Sequence, residues 1–335
     1  MASISCMLAL LSGAVGAGFA SGREIVCFFA CHGYGAGAAV VFALATLFAL
    51  LLALPARMED TGCASLQALC RVRFGLRLGR LCAGLFFLLC AVTGGAMLAA
   101  CAELCALALP IRHAYGAGLS VSLLLGALLA LGGLRARALP GLALCLLLPA
   151  LFARLFSLPA GEACFLPGMT PDLPVRAAAD GAVYAALNAA LLAGIMPMLL
   201  PLSRRERLRS AALFTAVFGL LLTAGVWICL RHLPAVLRQP LPFVALQRLS
   251  GGSYLPVAAA MYAAALSSLP PMLLGMARML PLSRSGSLLI SALICLALSL
   301  AGFTPLIESG YPALGSLCAT LLFPLCFPAP AASSS

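Results

Sequence analysis

Glycines and serines in two short segments have the types and spacing that suit binding of an ion or a small solute. The first segment spans residues 12–24 and contains four glycines, which are Gly13, Gly16, Gly18 and Gly22. Glycine costs about 1 kcal/mol relative to alanine in a helix interior, so this density predicts a local interruption of a helix. Carbonyls and N–H groups freed there would suit a cation and an anion, respectively. Close helix packing through small residues is the alternative explanation.

The second segment places Ser267 beside Ser268, shortly before two prolines. Adjacent hydroxyls near carbonyls that proline leaves free could ligate a hard monovalent cation, whereas serine back-bonding at a proline kink is the simpler alternative. Tyr184 and Asn188 are spaced four residues apart in another apolar run. An asparagine within a membrane faces a partner, which here is either a solute or a neighbouring helix.

Ionisable residues within or at the ends of the apolar runs are the remaining candidates, since charge inside a bilayer is costly. They are Arg23, Glu24, Glu103, Asp180 and Glu308. Arg23 and Glu24 either act in a site or reach the membrane surface. Glu103 is either a proton or cation site or a residue near that surface. Asp180 or Glu308 would form an outer gate by pairing with Arg23.

Composition indicates the elements that must position these residues. The 335 residues are 64% hydrophobic and 9% charged, with a mean hydropathy of +1.13. Globular proteins carry roughly 25% charged residues, so an ordinary soluble protein is excluded. Continuous apolar runs predict an all-α polytopic membrane protein rather than a barrel or a disordered chain. The ten predicted spans are 5–31, 36–56, 81–109, 114–133, 138–158, 177–201, 210–230, 255–280, 287–303 and 311–328.

Ten spans divide into repeats of five at 1–158 and 159–335, and an odd number per half requires opposite orientations. The first span of each half contains helix-breaking residues, which predicts interrupted helices 1 and 6. A cytoplasmic N-terminus puts thirteen arginines in inside loops and six in outside loops, so we expect both termini in the cytoplasm. The net charge of +11 lies in these loops and gives no reason to expect a nucleic-acid partner.

Enzymatic chemistry and a metal framework are not expected. The fifteen cysteines lie mostly inside apolar runs, where cysteine behaves as a small hydrophobic residue. Three scattered histidines form no nucleophile or zinc pattern, and there is no Walker-type phosphate loop. We expect no cofactor, no catalytic residue and no metal beyond a monovalent coupling ion.

The residues from Gly13 to Gly22, followed by Arg23 and Glu24, resemble the opening helix of YkvI-type bacterial membrane proteins. These belong to the amino acid–polyamine–organocation (APC) superfamily. The segment from Tyr184 to Asn188 and residues 97–100 are also similar to the family. The resemblance covers the chain in span number and order, although the family typically has glutamine at the position of Arg23.

This resemblance implies a leucine-transporter-like fold with broken helices 1 and 6. It implies that N–H groups of Ala17 and Gly18 bind a substrate carboxylate, with Tyr184 and Asn188 nearby. It also implies a sodium site. The implied ligands are the carbonyls of Ser12, Val15 and Ala264 and the hydroxyls of Ser267 and Ser268.

We therefore expect a secondary active transporter in a bacterial inner membrane that moves a small solute, an amino acid, by alternating access. Sodium is the expected coupling ion and a proton the alternative. The alternative functions are a ligand-sensing receptor subunit of germinant-receptor type with the same fold, and a channel. The expected partners are the solute and the lipid bilayer, while the sequence leaves the oligomeric state open.

Overall fold

A computed structural model describes residues 2–109, 111–132, 147–158, 174–251 and 253–327. Those residues form helices joined by turns, with no β-strand among them. The α-helices are α1 (Ala2–Ala14), α2 (Ala17–Ser21), α3 (Arg23–Phe28), α4 (Ala36–Asp60), α5 (Leu66–Ala108), α6 (Ala114–Leu131), α7 (Leu147–Phe156), α8 (Pro174–Leu191), α9 (Arg204–Arg231), α10 (Leu233–Val236), α11 (Pro242–Leu249), α12 (Leu255–Ala277), α13 (Arg284–Ser299), α14 (Phe303–Pro305) and α15 (Tyr311–Leu325). Short 3₁₀ segments lie at Ala30–Gly35, Leu192–Gly194 and Met196–Leu199, and a π-helical turn lies at Leu306–Gly310.

Seven helical segments of the described chain are long and apolar enough to cross a bilayer. They are Ala30–Asp60, Leu66–Ala108, Ala114–Leu131, Pro174–Gly194, Arg204–Arg231, Leu255–Ala277 and Phe303–Leu325. Shorter apolar helices lie at Ser3–Ala14, Leu147–Phe156 and Arg284–Ser299, within or overlapping the predicted spans 1, 5 and 9. The protein is a multi-pass membrane protein, while the count of ten spans and the division at 158 stay predictions. Part of span 138–158 and the start of the second repeat lie outside the described residues.

Serine caps fix where three of the helices begin. The side chains of Ser65, Ser203 and Ser283 accept hydrogen bonds from backbone N–H groups in the first turns of α5, α9 and α13. At α9, the Glu206 carboxylate also accepts from the Ser203 N–H, which completes a capping box. A cap of this kind is worth about 1 kcal/mol. The polar loops therefore place the starts of these apolar helices at defined positions.

The long helix α5 bends sharply at Gly75, whose φ of 79° favours glycine. A Cβ atom on Gly79 would lie 2.7 Å from the Cα of Arg71, eight residues earlier in the chain. In a straight helix, eight residues would be separated by about 12 Å along the axis. The first turns of α5 therefore fold back against the start of its membrane-spanning part.

The described helices pack in two groups. In the first group α4 lies against α8 and α9, and α1 lies against α9. In the second group α5, α6, α12 and α13 pack together around a separate apolar cluster that includes Leu98, Leu269 and Met276. Helix α15 contacts α8 and α5, and α12 also contacts α1 and α2. The junction of α1 and α2 therefore lies where the two groups meet.

Both predicted helix interruptions are present. Helix α1 ends at Ala14 and α2 begins at Ala17, with Val15 and Gly16 between them. Helix α8 ends at Leu191 and continues as two 3₁₀ segments up to residue 199. Because α1 and α8 belong to the same packing group, the two interruptions lie near one another. The side chain of Ile195 contacts Gly13.

Candidate functional site

The interruption between α1 and α2 brings four predicted ion ligands together. The Ser268 hydroxyl lies 3.2 Å from the Val15 carbonyl oxygen and 3.1 Å from the Ala264 carbonyl oxygen. The Ser267 hydroxyl donates to the Ala264 carbonyl at 2.8 Å. All four residues are buried. We call these two carbonyls and two hydroxyls the oxygen cluster. Back-bonding within α12 is present as well, but Ser268 also bridges to the broken helix.

Two other hydrogen bonds lie beside the interruption, one made by the Ser12 hydroxyl and one accepted by the Met97 sulfur. The fifth predicted ligand is the carbonyl of Ser12, whose hydroxyl donates to the Ala9 carbonyl of its own helix at 2.8 Å. The N–H of Ala17 donates to the Met97 sulfur at 3.1 Å. A Cβ on Gly16 would lie 3.2 Å from that same sulfur, so glycine permits this close approach. Sequence reasoning assigned no contact to the Met97 thioether, because a methionine in an apolar helix carries no distinctive signal.

A carboxylate lies directly against the glycine that was predicted to face a solute. The chain turns at Gly22, where φ is 83°, and begins α3 with Arg23. This turn directs the Glu24 side chain back so that it would overlap a Cβ atom placed on Gly18. Glu24 is 5% exposed, and its carboxylate accepts a long hydrogen bond of 3.4 Å from the Tyr184 hydroxyl. The Glu24 carboxyl group therefore already occupies the space beside Gly18.

Further buried polar groups surround Glu24. The Asn188 amide nitrogen donates to the Tyr184 carbonyl at 3.0 Å, and its side chain lies beside the Tyr184 hydroxyl. Tyr311 lies within electrostatic range of Glu24, and Thr93 faces Tyr311. We call these five residues the Glu24 cluster. Sequence reasoning found three of them and missed Thr93 and Tyr311, although a hydroxyl in mid-span could have marked Thr93.

Arg23 points away from its neighbour Glu24 and joins other elements. Its guanidinium pairs with the Glu308 carboxylate and donates to the carbonyls of Leu237 and Gln239 at 2.9 and 3.1 Å. Of the two acids expected as partners, Glu308 therefore makes the contact. The arginine ties α3 to the loop between α10 and α11 and to the π-helical turn before α15. Its role as a gate stays a prediction.

The other two acidic candidates make separate contacts. Asp180 lies 3.0 Å from the Nε2 atom of His32, an ion-pair distance without the alignment of a good hydrogen bond. Glu103 accepts a hydrogen bond from the N–H of Phe303 at 3.2 Å. Since Phe303 opens α14, the Glu103 carboxylate satisfies a free donor at the start of that helix. These contacts connect elements and do not bring either acid to the oxygen cluster.

No protein-family model matches the sequence, and no curated protein is significantly similar to it. Solved structures with a similar fold include two that match over 97% of the chain. One is Mhp1, a nucleobase-cation-symport-1 family transporter, in a closed conformation with bromovinylhydantoin bound. It has a TM-score of 0.66 and 16% identity, with 76% of its own chain covered.

The other is a substrate-bound outward-open state of a Na⁺-coupled sialic acid symporter. It has a TM-score of 0.61 and 14% identity, with 77% of its own chain covered. The chain has a leucine-transporter-like fold. At these identities the likeness concerns the fold alone, so membership of the YkvI-type family stays a prediction.

Proposed function

We propose that the protein is a secondary active transporter that carries a small solute, an amino acid, by sodium-coupled alternating access. The observation that carries this proposal is the oxygen cluster at the interruption of the first helix. Unwound carbonyls in paired broken helices are a common way for transporters to coordinate a coupling ion. The two solved structures compared above are described as transporters, and one of them as Na⁺-coupled.

The position of the oxygen cluster gives a physical reason for coupling. Val15 belongs to the first packing group, whereas Ala264 and Ser268 belong to α12 in the second group. A cation bound by oxygens of both packing groups would stabilise conformations in which the two groups are close together at the oxygen cluster. A ligand shifts a conformational equilibrium only by binding one state better than the other. Sodium bound here would therefore bias the relative position of the two groups.

The solute site in this proposal is the region around Glu24, whose carboxylate lies between Gly18 and the Tyr184 hydroxyl, with Asn188 beside Tyr184. It includes the Glu24 cluster and lies beside the first turn of α2, which contains the Gly18 N–H predicted to bind a carboxylate. An amino acid presents both an ammonium and a carboxylate, so it matches a site that combines donors with acceptors. If a proton replaces sodium as the coupling ion, Glu24 is the carboxyl that would carry it.

Purified protein in liposomes tests the proposal through counterflow of labelled amino acids. An alternating-access carrier exchanges internal solute for external label, whereas a channel equilibrates without counterflow and a sensor binds without moving solute. We expect counterflow that sodium stimulates and that potassium does not. Counterflow that is absent for the whole amino acid panel would contradict the proposed function.

Replacing Ser267 and Ser268 together with alanine tests the ion site. We expect this variant to lose sodium stimulation or to need at least tenfold more sodium for half-maximal uptake, because two hydroxyl ligands are removed. Ser291→Ala is the matched control, since Ser291 is equally buried and its hydroxyl bonds only within its own helix α13. Unchanged sodium dependence in the double variant would remove the oxygen cluster from consideration.

A further inference from the structure

The Glu24 carboxylate is buried without a positive partner in the described part of the chain. It accepts a hydrogen bond from the neutral hydroxyl of Tyr184, at 3.4 Å. The adjacent Arg23 is engaged with Glu308 and two backbone carbonyls, and the sequence contains no lysine. Arg23 is therefore adjacent to Glu24 in the sequence, but its guanidinium interacts with Glu308 and with backbone carbonyls.

An ionised carboxylate in apolar surroundings is strongly destabilised unless a cation pairs with it. One long hydrogen bond from a tyrosine does not replace the water that this group loses on burial. The site is therefore completed by a positive charge from outside the described residues. That charge is a proton, a metal cation or a protonated amine.

The neighbouring polar atoms distinguish among these three. The Oδ1 atom of Asn188 is buried and lacks a hydrogen-bond partner among the described residues, whereas the buried Thr93 hydroxyl lies beside Tyr311. A protonated Glu24 carries a single O–H donor, so it could serve at most one further oxygen. An ammonium group has three N–H donors and no acceptor, so one ammonium could serve the carboxylate and further oxygens together.

Aromatic rings pack against Tyr184, the hydrogen-bond donor to Glu24, and aromatic surroundings suit an ammonium better than a metal ion. The rings of Phe28 and Phe29 lie 5.2 and 4.9 Å from the ring of Tyr184, centroid to centroid. Ring faces attract ammonium groups, and these phenylalanine rings offer no oxygen ligand to a metal. A separate set of oxygens, at Val15 and Ser268, is already available for a monovalent metal ion.

We propose that Glu24 binds the protonated amino group of the transported solute, with Asn188 and Tyr184 completing the contact. This inference rests on the proposed function and defines its solute class as amines or amino acids held by their ammonium end. Gly18 is required because any larger side chain would displace the Glu24 carboxylate from this place. The carboxylate of an amino acid would then lie away from Gly18, unlike the arrangement implied by the family resemblance.

Matched sets of three ligands test this directly through the thermal stability of the purified protein in sodium chloride. One set is leucine, 3-methylbutylamine, which lacks the carboxylate, and 4-methylpentanoate, which lacks the amine. The corresponding sets for alanine and phenylalanine vary the side chain. A ligand that binds the folded state raises the unfolding temperature. We expect at least one amine-bearing pair to stabilise the protein and the carboxylate-only compounds to have no effect.

Glu24→Gln keeps the shape of the side chain and removes its charge. We expect it to weaken binding of the amine-bearing ligands at least tenfold, with Glu24→Asp intermediate between it and the wild type. Glu59→Gln is the control, because Glu59 pairs with Arg207 outside the Glu24 cluster. If Glu24→Gln does not fold, Gly18→Ala provides the second test, since its methyl group would push the carboxylate aside while keeping the charge.

Three results would overturn the inference: no amine stabilises the wild type, carboxylate-only compounds bind better than amines, or Glu24→Gln binds amines as tightly as the wild type. The second result would mean that Glu24 occupies the place of a substrate carboxylate and moves away when solute binds. Failure of the transport proposal is a different outcome. It would leave amine binding dependent on Glu24 while counterflow in liposomes is absent.

Discussion

The two interrupted helices differ in what surrounds their open backbone. At the first interruption, the Val15 carbonyl accepts a hydrogen bond from Ser268, and Ala17 donates to a sulfur of another helix. At the second, the chain closes its own hydrogen bonds in 3₁₀ turns. Ile195 donates to the Leu192 carbonyl at 2.8 Å, and Met198 donates to the Ile195 carbonyl at 2.9 Å. The first interruption therefore depends on distant residues, whereas the second is satisfied locally.

Side-chain size explains this difference. Glycines at 16 and 18 leave room for Met97 and for the Glu24 carboxylate to approach the backbone. The second interruption instead carries bulky apolar side chains, and those of Ile195 and Leu192 pack onto Gly13. A helix interruption alone therefore does not make a binding site. Polar groups must also be able to reach the backbone that it exposes.

The largest expected effect is the loss of solute binding in Gly18→Leu. The new side chain would enter the space of the Glu24 carboxylate. Overpacking a tight site costs about 1–3 kcal/mol, and a cost of this size carried by the bound state corresponds to about a five- to 150-fold loss of affinity. Gly194→Ala is the control, because a Cβ atom there meets nothing within 4 Å. Binding measured by thermal stabilisation would show a difference between the two variants. Equal affinities would mean that both interruptions serve packing only.

An intermediate effect is expected from breaking the contact between Arg23 and Glu308. Glu308→Gln should lower the free energy for local opening of α3 by about 1 kcal/mol, since the carboxylate is 38% exposed and solvent weakens the pair. Amide hydrogen exchange over residues 23–28 would then be about fivefold faster. High salt should act in the same direction.

Glu59→Gln is the control for that experiment, because it removes another carboxylate that pairs with an arginine, Arg207. It should leave exchange over residues 23–28 unchanged. If Glu308→Gln also leaves this exchange unchanged, the two carbonyl contacts of Arg23 are enough to hold α3, and the ion pair is not a gate.

Sequence reasoning located the first interruption because its cause is local: several glycines within one apolar run. The contact between Val15 and Ser268 was also anticipated, through the resemblance to a family with a known arrangement. The partner of Arg23 remained undecided between Asp180 and Glu308. The choice depends on how α8 and the π-helical turn before α15 are placed against α3, and no local pattern in the sequence specifies that placement.

The residues that were missed share a different property. Thr93, Met97 and Tyr311 each meet the site from a helix far away in the sequence, and each is an ordinary residue of an apolar span. Their contribution depends on which face of α5 or α15 turns toward α2. Apolar spans such as these have weak amphipathic patterning, so the sequence does not specify that face.

The smallest expected effect is that of Met97→Leu, which separates a directed contact from simple packing at the first interruption. Leucine has a similar volume, so the loss in unfolding free energy should stay below about 1.5 kcal/mol. The Ala17 N–H would lose its sulfur acceptor, and its hydrogen exchange should become faster than that of neighbouring amides. Met276→Leu is the control, since Met276 is as buried but lies in the apolar cluster of the second group. If the Ala17 amide exchanges at the same rate in both variants, the Met97 sulfur only fills space. The first interruption would then resemble the second more closely than its contacts suggest.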